Sequence, residues 1–535
     1  MSTATAPTTV VRPMDRSLGD ALRLALLFAL IKLGLHIGTN LWEAHIGWGY
    51  FRDEFYYLMC GRHLAWGYVD HGPIVAMQAR IAETLFGHSL AGIRLLSAAA
   101  GAMRVLLTGL LAWSLGGRRP AQALAMLGVL LAPQYLGLDS FLSMNSFESI
   151  FWMGGLLALI LQIRGYSQRW CWIAFGISAG IGLLNKPSMT FFLIALLLGL
   201  LLTPERRVLF TRWSAIGIAL LVLIALPNLI WQIANHWPTL EFLHNGRVGN
   251  KNVALASLPF LVKQVQNLNP VSILIWAWGL LWLLLNRTAK TWRFLGYTYL
   301  IFLASMMALH AKDYYVVPIY PILFAAGGIA WEQRFRERSA VRHNRAFAFP
   351  LYEAILVLTG LLILPMAIPV MRPLQWVAYA KALHLYDQSS NSENESSGIL
   401  PQFYADRFGW QEEVDKVSAI VQHLSPEDRS HAGILADNYG EAGALDFLGR
   451  GLPPIVSGHN TYWLWGPRGV GGQVLIVISG DKPQHFERLC RQVEVAATMD
   501  HPLSMPFEHK RIYLLHGCQS VQSPENNWLK YKHYF

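Results

Sequence analysis

The sequence predicts a polytopic α-helical membrane protein that ends in an extracytoplasmic α/β domain. Three observations carry this prediction. Of 535 residues, 53% are hydrophobic and 14% charged, and the mean hydropathy is +0.33; a soluble chain of this length would carry roughly a quarter charged residues. Apolar runs of about 16 to 23 residues recur as far as Met371, each long enough for roughly 30 Å of hydrocarbon, some with thinning or tilt. Beyond Met371 the composition turns polar, and helical patterns alternate with short β-type runs.

Residues 1–18 form a polar tail with no apolar core, so the first span reads as an anchor that stays. About eleven spans follow, near 19–37, 91–116, 120–137, 149–163, 170–185, 188–203, 213–234, 269–285, 294–310, 314–331 and 347–371. Lys and Arg crowd alternate loops, around Arg118, Arg164, Arg206, Arg287 and Arg334, which the positive-inside rule assigns to the cytoplasm. The chain is then a multi-pass protein of the inner (plasma) membrane, with a cytoplasmic N-terminus and everything after Met371 in the periplasm. The net charge of +10 is mostly this topological signal. The bilayer is the expected partner, and nucleic acid is not.

Residues 372–402 read as a linker, with a polar run at 388–398, and residues 403–535 as the α/β domain. Its expected elements are helices at Glu412–His423, Glu441–Leu448 and Pro483–Arg491 and strands at Ala432–Ala436, Val474–Ile478, Val493–Ala497 and Arg511–Leu515. Cys60 and Cys171 are isolated. Cys490 and Cys518 are either a disulfide or two separate buried thiols. The glycine-rich stretch 466–472 precedes a strand and lacks the Lys-Ser/Thr of a phosphate loop, so it reads as a plain loop. The aromatic segment His459–Trp465 suits either interfacial packing or stacking on sugar rings.

The first outer loop, 38–90, carries the densest chemistry of the membrane domain 19–371. Arg52, Asp53 and Glu54 stand together beside a bilayer, where charge is costly unless paired or at work. A helix through them sets the two acids about 100° apart, so one faces the reaction and the other orients a partner. A salt-bridging or capping role for both competes with this. Tyr57, Asp70 and His71 share the loop. A secondary acidic loop holds Asp139 and Glu148, with helix capping a competing role for Asp139 and Asn145. Lys186, Arg247 and Lys312, with Tyr315, sit at the same side, where snorkelling and anion binding are both open.

Phe51–Leu58, Gly61-Arg62-His63 and Trp66–Pro73 resemble the first outer loop of bacterial glycosyltransferases of the family 39 or dolichyl-phosphate-mannose protein mannosyltransferase type, relatives of the lipid A aminoarabinose transferase. His310–Pro321 is similar to a later motif of these enzymes, and the likeness covers about residues 20 to 372. It implies a GT-C fold and an inverting transfer of a hexose or pentose from a polyprenyl-phosphate donor to an envelope lipid, glycan or protein on the outer face. Asp53 then matches the catalytic base and Glu54 its acidic neighbour. Asp70-His71-Gly72-Pro73 resembles an acidic-Lys-Pro-Pro segment near the donor phosphate, with His71 for the lysine and Gly72 for the first proline. Phosphate binding is then shared with Lys186, Arg247 or Lys312. No cofactor is required, although Asp53, Glu54, Glu148 and His71 could assemble ligands for a divalent metal. Two other readings are a lipid or glycan transporter, which would call for mid-membrane charges and internal repeats, whereas Lys32 and His36 stand near the outward part of one span only, and a noncatalytic envelope scaffold.

Overall fold

The computed structural model describes residues 17–249, 253–339, 348–386, 393–518 and 528–535; most of the N-terminal tail and part of the polar run at 388–398 lie outside these. The membrane part begins with Leu18–Glu43 (α1), capped by the Ser17 hydroxyl on the Asp20 amide, a standard way to satisfy a helix start. It continues through Arg52–Arg62 (α2), Pro73–Phe86 (α3), Leu90–Ser114 (α4), Arg119–Leu130 (α5), Pro133–Leu138 (α6), Met144–Ile163 (α7) and Gln168–Asn185 (α8). Then come Ser188–Leu201 (α9), Arg212–Ala234 (α10), Pro238–Val248 (α11), Ser257–Asn267 (α12), Ile273–Leu285 (α13), Arg293–Ala308 (α14), Tyr320–Ser339 (α15) and Ala348–Ile363 (α16).

Each expected span falls on helical structure, but the spans differ in kind. Among the described residues, six helices are long and apolar enough to cross a membrane by themselves, or seven when α12 and Pro270–Leu285, bent by 102°, count as one. The remaining expected spans lie on α5, α8, α9 and α14, of 12, 18, 14 and 16 residues. The run at 120–137 is interrupted because Pro133 removes a backbone donor and disfavours helix in the residue before it. The chain is a multi-pass membrane protein.

The bundle is packed through small residues as well as large ones. A Cβ on Gly279 of α13 would lie 2.2 Å from the Leu323 carbonyl oxygen, and one on Gly327 of α15 would lie 2.1 Å from that of Ile275. Glycine is therefore required where these two helices touch, the close approach that apolar surroundings reward with dispersion and backbone contact. Large side chains fill the rest: Trp152 stacks on Phe192 with ring centres 4.4 Å apart.

The expected loop 38–90 is largely helical. α1 runs on to Glu43, and α2 and α3 fold across one end of the bundle. Within the expected linker 372–402, Pro373–Ala382 forms a helix (α17) that buries Trp376 against Tyr404. Its apolar face holds this stretch to the bundle end, where a solvated tether would have none.

The C-terminal segment contains Gln402–Ala405 (α18), Trp410–His423 (α19), Pro426–His431 (α20), Tyr439–Leu448 (α21), Thr461–Leu464 (α22) and Pro483–Glu487 (α23). Its five strands are Ala432–Ala436 (β1), Ile455–Ser457 (β2), Val474–Ser479 (β3), Cys490–Thr498 (β4) and Arg511–Cys518 (β5), in the order β2-β1-β3-β5-β4. The β2-β1-β3 half is parallel and the β3-β5-β4 half antiparallel. β3 is buried at every position, as a central strand covered on both faces should be. Cys490 and Cys518 face each other across β4 and β5 and are disulfide-bonded. The glycine-rich 466–472 is a loop.

Candidate active site at the bundle end

The site is organised by the start of α2. Phe51 is extended, and its amide donates to the Glu54 carboxylate at 2.8 Å, closing the first turn. Asp53 and Glu54 thus both lie where the helix dipole favours negative charge, and their 100° separation sends them different ways. Glu54 turns inward and is fully buried. Arg94 of α4 grips it with two bonds of 2.7 Å, and the Leu142 amide adds one of 2.8 Å. Arg94 also pairs with Glu43 of α1, which Arg407 meets from the far side at 3.3 Å. Two buried carboxylates and two buried guanidiniums therefore join α1, α2, α4 and the start of the C-terminal segment.

Asp53 turns outward, and its side chain keeps 28% exposure. One carboxylate oxygen accepts a 2.8 Å hydrogen bond from the Tyr439 hydroxyl, and the Arg52 Nε lies 3.7 Å away. Arg52 is shared with Glu393 at 3.7 Å and Asp406 at 3.8 Å. A carboxylate has room for about four hydrogen bonds, so Asp53 retains capacity to accept a proton.

Beside Asp53 stand Tyr57, Asp70 and His71. Asp70 accepts from the Tyr56 hydroxyl at 2.7 Å, and that hydroxyl meets the Thr461 hydroxyl at 2.5 Å. Burial pushes the Asp70 carboxyl above the usual range, helped by the charge of Asp53 and opposed by His71 and Tyr56. The His71 ring stacks on Tyr68 at 4.6 Å and meets Tyr57 edge-on at 5.2 Å. Its Nδ1 is 2.8 Å from the Gly72 carbonyl, which can only accept; that sets Nδ1 as the protonated nitrogen. Burial lowers its affinity for a second proton, so a neutral ring presents Nε2, which has no hydrogen-bond partner among the described residues. Gly72 has a steric cause: a Cβ there would lie 2.0 Å from the Leu184 carbonyl oxygen, leaving no room for proline.

The other expected site residues fall into separate groups. Lys186 donates to Asn145 at 2.7 Å and to Glu148 at 3.1 Å and lies 4.3 Å over the Tyr315 ring. Ser188 also donates to Glu148. Tyr314, within electrostatic reach of both Tyr57 and Glu148, connects this group to the first. Asp139 stands apart in a buried cluster, bonded to Arg104 at 2.8 Å and Lys32 at 3.2 Å. Capping of α7 falls to Ser143, whose hydroxyl accepts from the Asn145 amide. Lys312 and Arg247 make no ion pair among the described residues, and Arg247 is exposed on α11. Among the described residues no group of three or more His, Cys, Asp and Glu is placed to hold a metal.

Arg94, Tyr439 and Thr461 are site residues that the sequence did not single out. Arg94 had a signal, as a charge inside an apolar run. Tyr439 had none, and Thr461 stood unmarked within the aromatic segment His459–Trp465; they meet α2 across separations of 386 and 405 residues.

Residues 70–231 match the model of the dolichyl-phosphate-mannose-protein mannosyltransferase family. The match begins at Asp70, so it contains His71, Asp139, Glu148 and Lys186 but not Asp53. No curated protein matches the chain in sequence. Among solved structures, the chain is similar to ArnT from Cupriavidus metallidurans bound to undecaprenyl phosphate, at 14% identity and a TM-score of 0.59, covering 95% of this chain and 100% of that one. The apo state of the same protein gives 15% identity and a TM-score of 0.57, covering 95% and 99%. The arabinofuranosyltransferase AftD from Mycobacteria gives 13% and 0.53, covering 93% of this chain and 40% of that one. The chain therefore has the GT-C glycosyltransferase fold, and its 70–231 segment carries the pattern of the dolichyl-phosphate-mannose-protein mannosyltransferase family.

Proposed function

We propose that this protein is an inverting glycosyltransferase that moves a sugar from a polyprenyl-phosphate donor to an envelope acceptor. The observation that carries the reading is the outward carboxylate of Asp53, oriented by Tyr439 beside a cluster of tyrosines, while the neighbouring Glu54 is committed to a buried ion pair. The reaction needs an acceptor hydroxyl to lose a proton as a lipid phosphate departs. Asp53 supplies the base within hydrogen-bond reach; Glu54 positions it. Direct displacement inverts the anomeric centre.

The departing phosphate gathers negative charge, which fixed donors stabilise. Lys312 and Arg247 suit this better than Lys186, whose charge is already met by Glu148. His71, neutral with an open nitrogen, serves as an acceptor or as a donor after it takes a proton. The undecaprenyl phosphate in the ArnT structure supports a donor of that kind. The disulfide supports a periplasmic C-terminal domain, since such bonds persist in oxidising compartments, and the Lys/Arg bias supports a cytoplasmic N-terminus in the inner membrane.

The test incubates purified full-length protein with undecaprenyl-phosphate sugars carrying radiolabelled hexoses or pentoses and follows donor consumption. The wild type is expected to consume at least one donor and Asp53→Asn to do so roughly 100- to 10,000-fold more slowly. Normal transfer by Asp53→Asn would overturn the assignment of the base.

A further inference from the structure

We infer that Tyr439, from the C-terminal segment, is a positioning residue for Asp53, so that residues beyond the membrane bundle complete the catalytic site. The inference rests on Asp53 being the base, as proposed above. Its hydroxyl donates to Asp53 at 2.8 Å, which fixes where that oxygen's remaining lone pair points. The phenol cannot drift, because its ring stacks on Tyr56 of α2 at 4.6 Å and packs against His459 at 4.6 Å. Burial pushes the phenol far above its ordinary range, so it stays a donor throughout the working pH range.

The backbone beneath it is equally held. Asn438 caps α21 by accepting from the Gly440 and Glu441 amides, and Glu441 returns the contact to the Asn438 amide at 3.1 Å. That reciprocal box is a strong helix start. Glu441 in turn accepts from Lys510, the residue just before β5, at 2.6 Å, and Asn438 donates to Glu508 at 3.1 Å. Close packing leaves no slack: a Cβ at Gly440 would lie 2.5 Å from the Arg52 side chain, and one at Gly443 would lie 2.8 Å from Phe55. The start of α21 thus presents the Tyr439 hydroxyl to Asp53 across an interface with α2. The groups within electrostatic reach of Asp53 are Arg52, Glu54, Tyr57, Asp70, His71, Asp406 and Tyr439; of these, Tyr439 is hydrogen-bonded to it.

The test compares wild type, Tyr439→Phe, Asp53→Asn and Tyr462→Phe as full-length protein in detergent, with the undecaprenyl-phosphate sugars named above. Tyr462→Phe removes a buried hydroxyl in the same segment whose bond goes to Asp446, at 2.9 Å, and not to Asp53. Tyr439→Phe is expected to lower kcat roughly 10- to 100-fold, the usual loss for a hydrogen bond to a charged group, with donor KM changed less than about twofold. The acid limb of its pH–rate profile should move to higher pH, because a lost donor disfavours the charged carboxylate. Tyr462→Phe should transfer as the wild type does. Should Tyr439→Phe fail to fold, 3,5-difluorotyrosine installed at position 439 keeps the shape, strengthens the donor and should move the acid limb to lower pH. Unchanged rate and profile in Tyr439→Phe, or an unmoved limb with the fluorinated residue, would overturn the inference while leaving Asp53 as base. A wild type inert toward every donor, or a fully active Asp53→Asn, would overturn the functional reading and this inference with it.

Discussion

Exchanging each of two adjacent acids for its amide should give opposite results. Glu54→Gln keeps the size of the side chain but removes the charge that faces Arg94, a residue with no exposure. The carboxylate accepts four hydrogen bonds, two from Arg94 at 2.7 Å and one each from the Phe51 and Leu142 amides at 2.8 Å. An amide offers one oxygen in place of two and turns a donor toward donors already there. Removing one partner of a buried ion pair costs about 3–5 kcal/mol, and the range applies because both partners are out of water. Asp53→Asn, on a side chain 28% exposed with its ion pair at 3.7 Å, should cost under about 1 kcal/mol. Its transfer rate should nonetheless fall roughly 100- to 10,000-fold, the usual worth of a general base. Equilibrium unfolding in mixed micelles with graded SDS, followed by tryptophan fluorescence, gives the stabilities. A Glu54→Gln protein as stable as the wild type would refute the buried network, and one more stable than Asp53→Asn would refute the division of labour.

Three further outcomes are expected. Lys312→Met should lower kcat roughly tenfold and raise the donor KM, as loss of a cation that binds the donor phosphate and holds it more strongly as negative charge gathers; unchanged kcat and KM in steady-state assays would remove it from the phosphate site. Gly72→Ala should disrupt the packing of α3 on the end of α8, because the new methyl meets the Leu184 carbonyl at 2.0 Å, and a wild-type melting temperature would contradict that contact. His71 is held neutral by burial, so its contribution to stability is full above about pH 6.5 and falls as pH drops through its lowered folded value. His71→Phe should therefore flatten the acid side of the curve of melting temperature against pH, and an unchanged curve would show the ring to be solvated.

The parts of this architecture that were legible from sequence are those set by local pattern. The runs that became α1, α4, α7 and α10 are long and apolar enough to be read by length, and the strand at Ala432–Ala436 begins and ends where the β-type run does. Pro133 was visible as a residue, yet its effect on span length depends on where the chain turns. The short β2, Ile455–Ser457, escaped notice because three residues carry no period. At the site, the angle between Asp53 and Glu54 followed from helix geometry, but which acid faces inward depended on Arg94 and Leu142. Lys186 and Glu148 were each visible, and their pairing was not. Tyr439 became a site residue only through the tertiary fold, since nothing near it in sequence marks it.

The Arg407–Glu43 contact joins residues 364 positions apart, and this governs the order in which the protein can become active during its own synthesis. Until Arg407 has emerged, the pocket around Arg94 holds two carboxylates and one guanidinium, and Asp53 waits for Tyr439, which emerges later still. A nascent chain with all of its bundle helices inserted would still lack the groups that balance and aim its acid. The surroundings of Asp53 are therefore complete only after Tyr439 has been made and its helix has folded back onto α2.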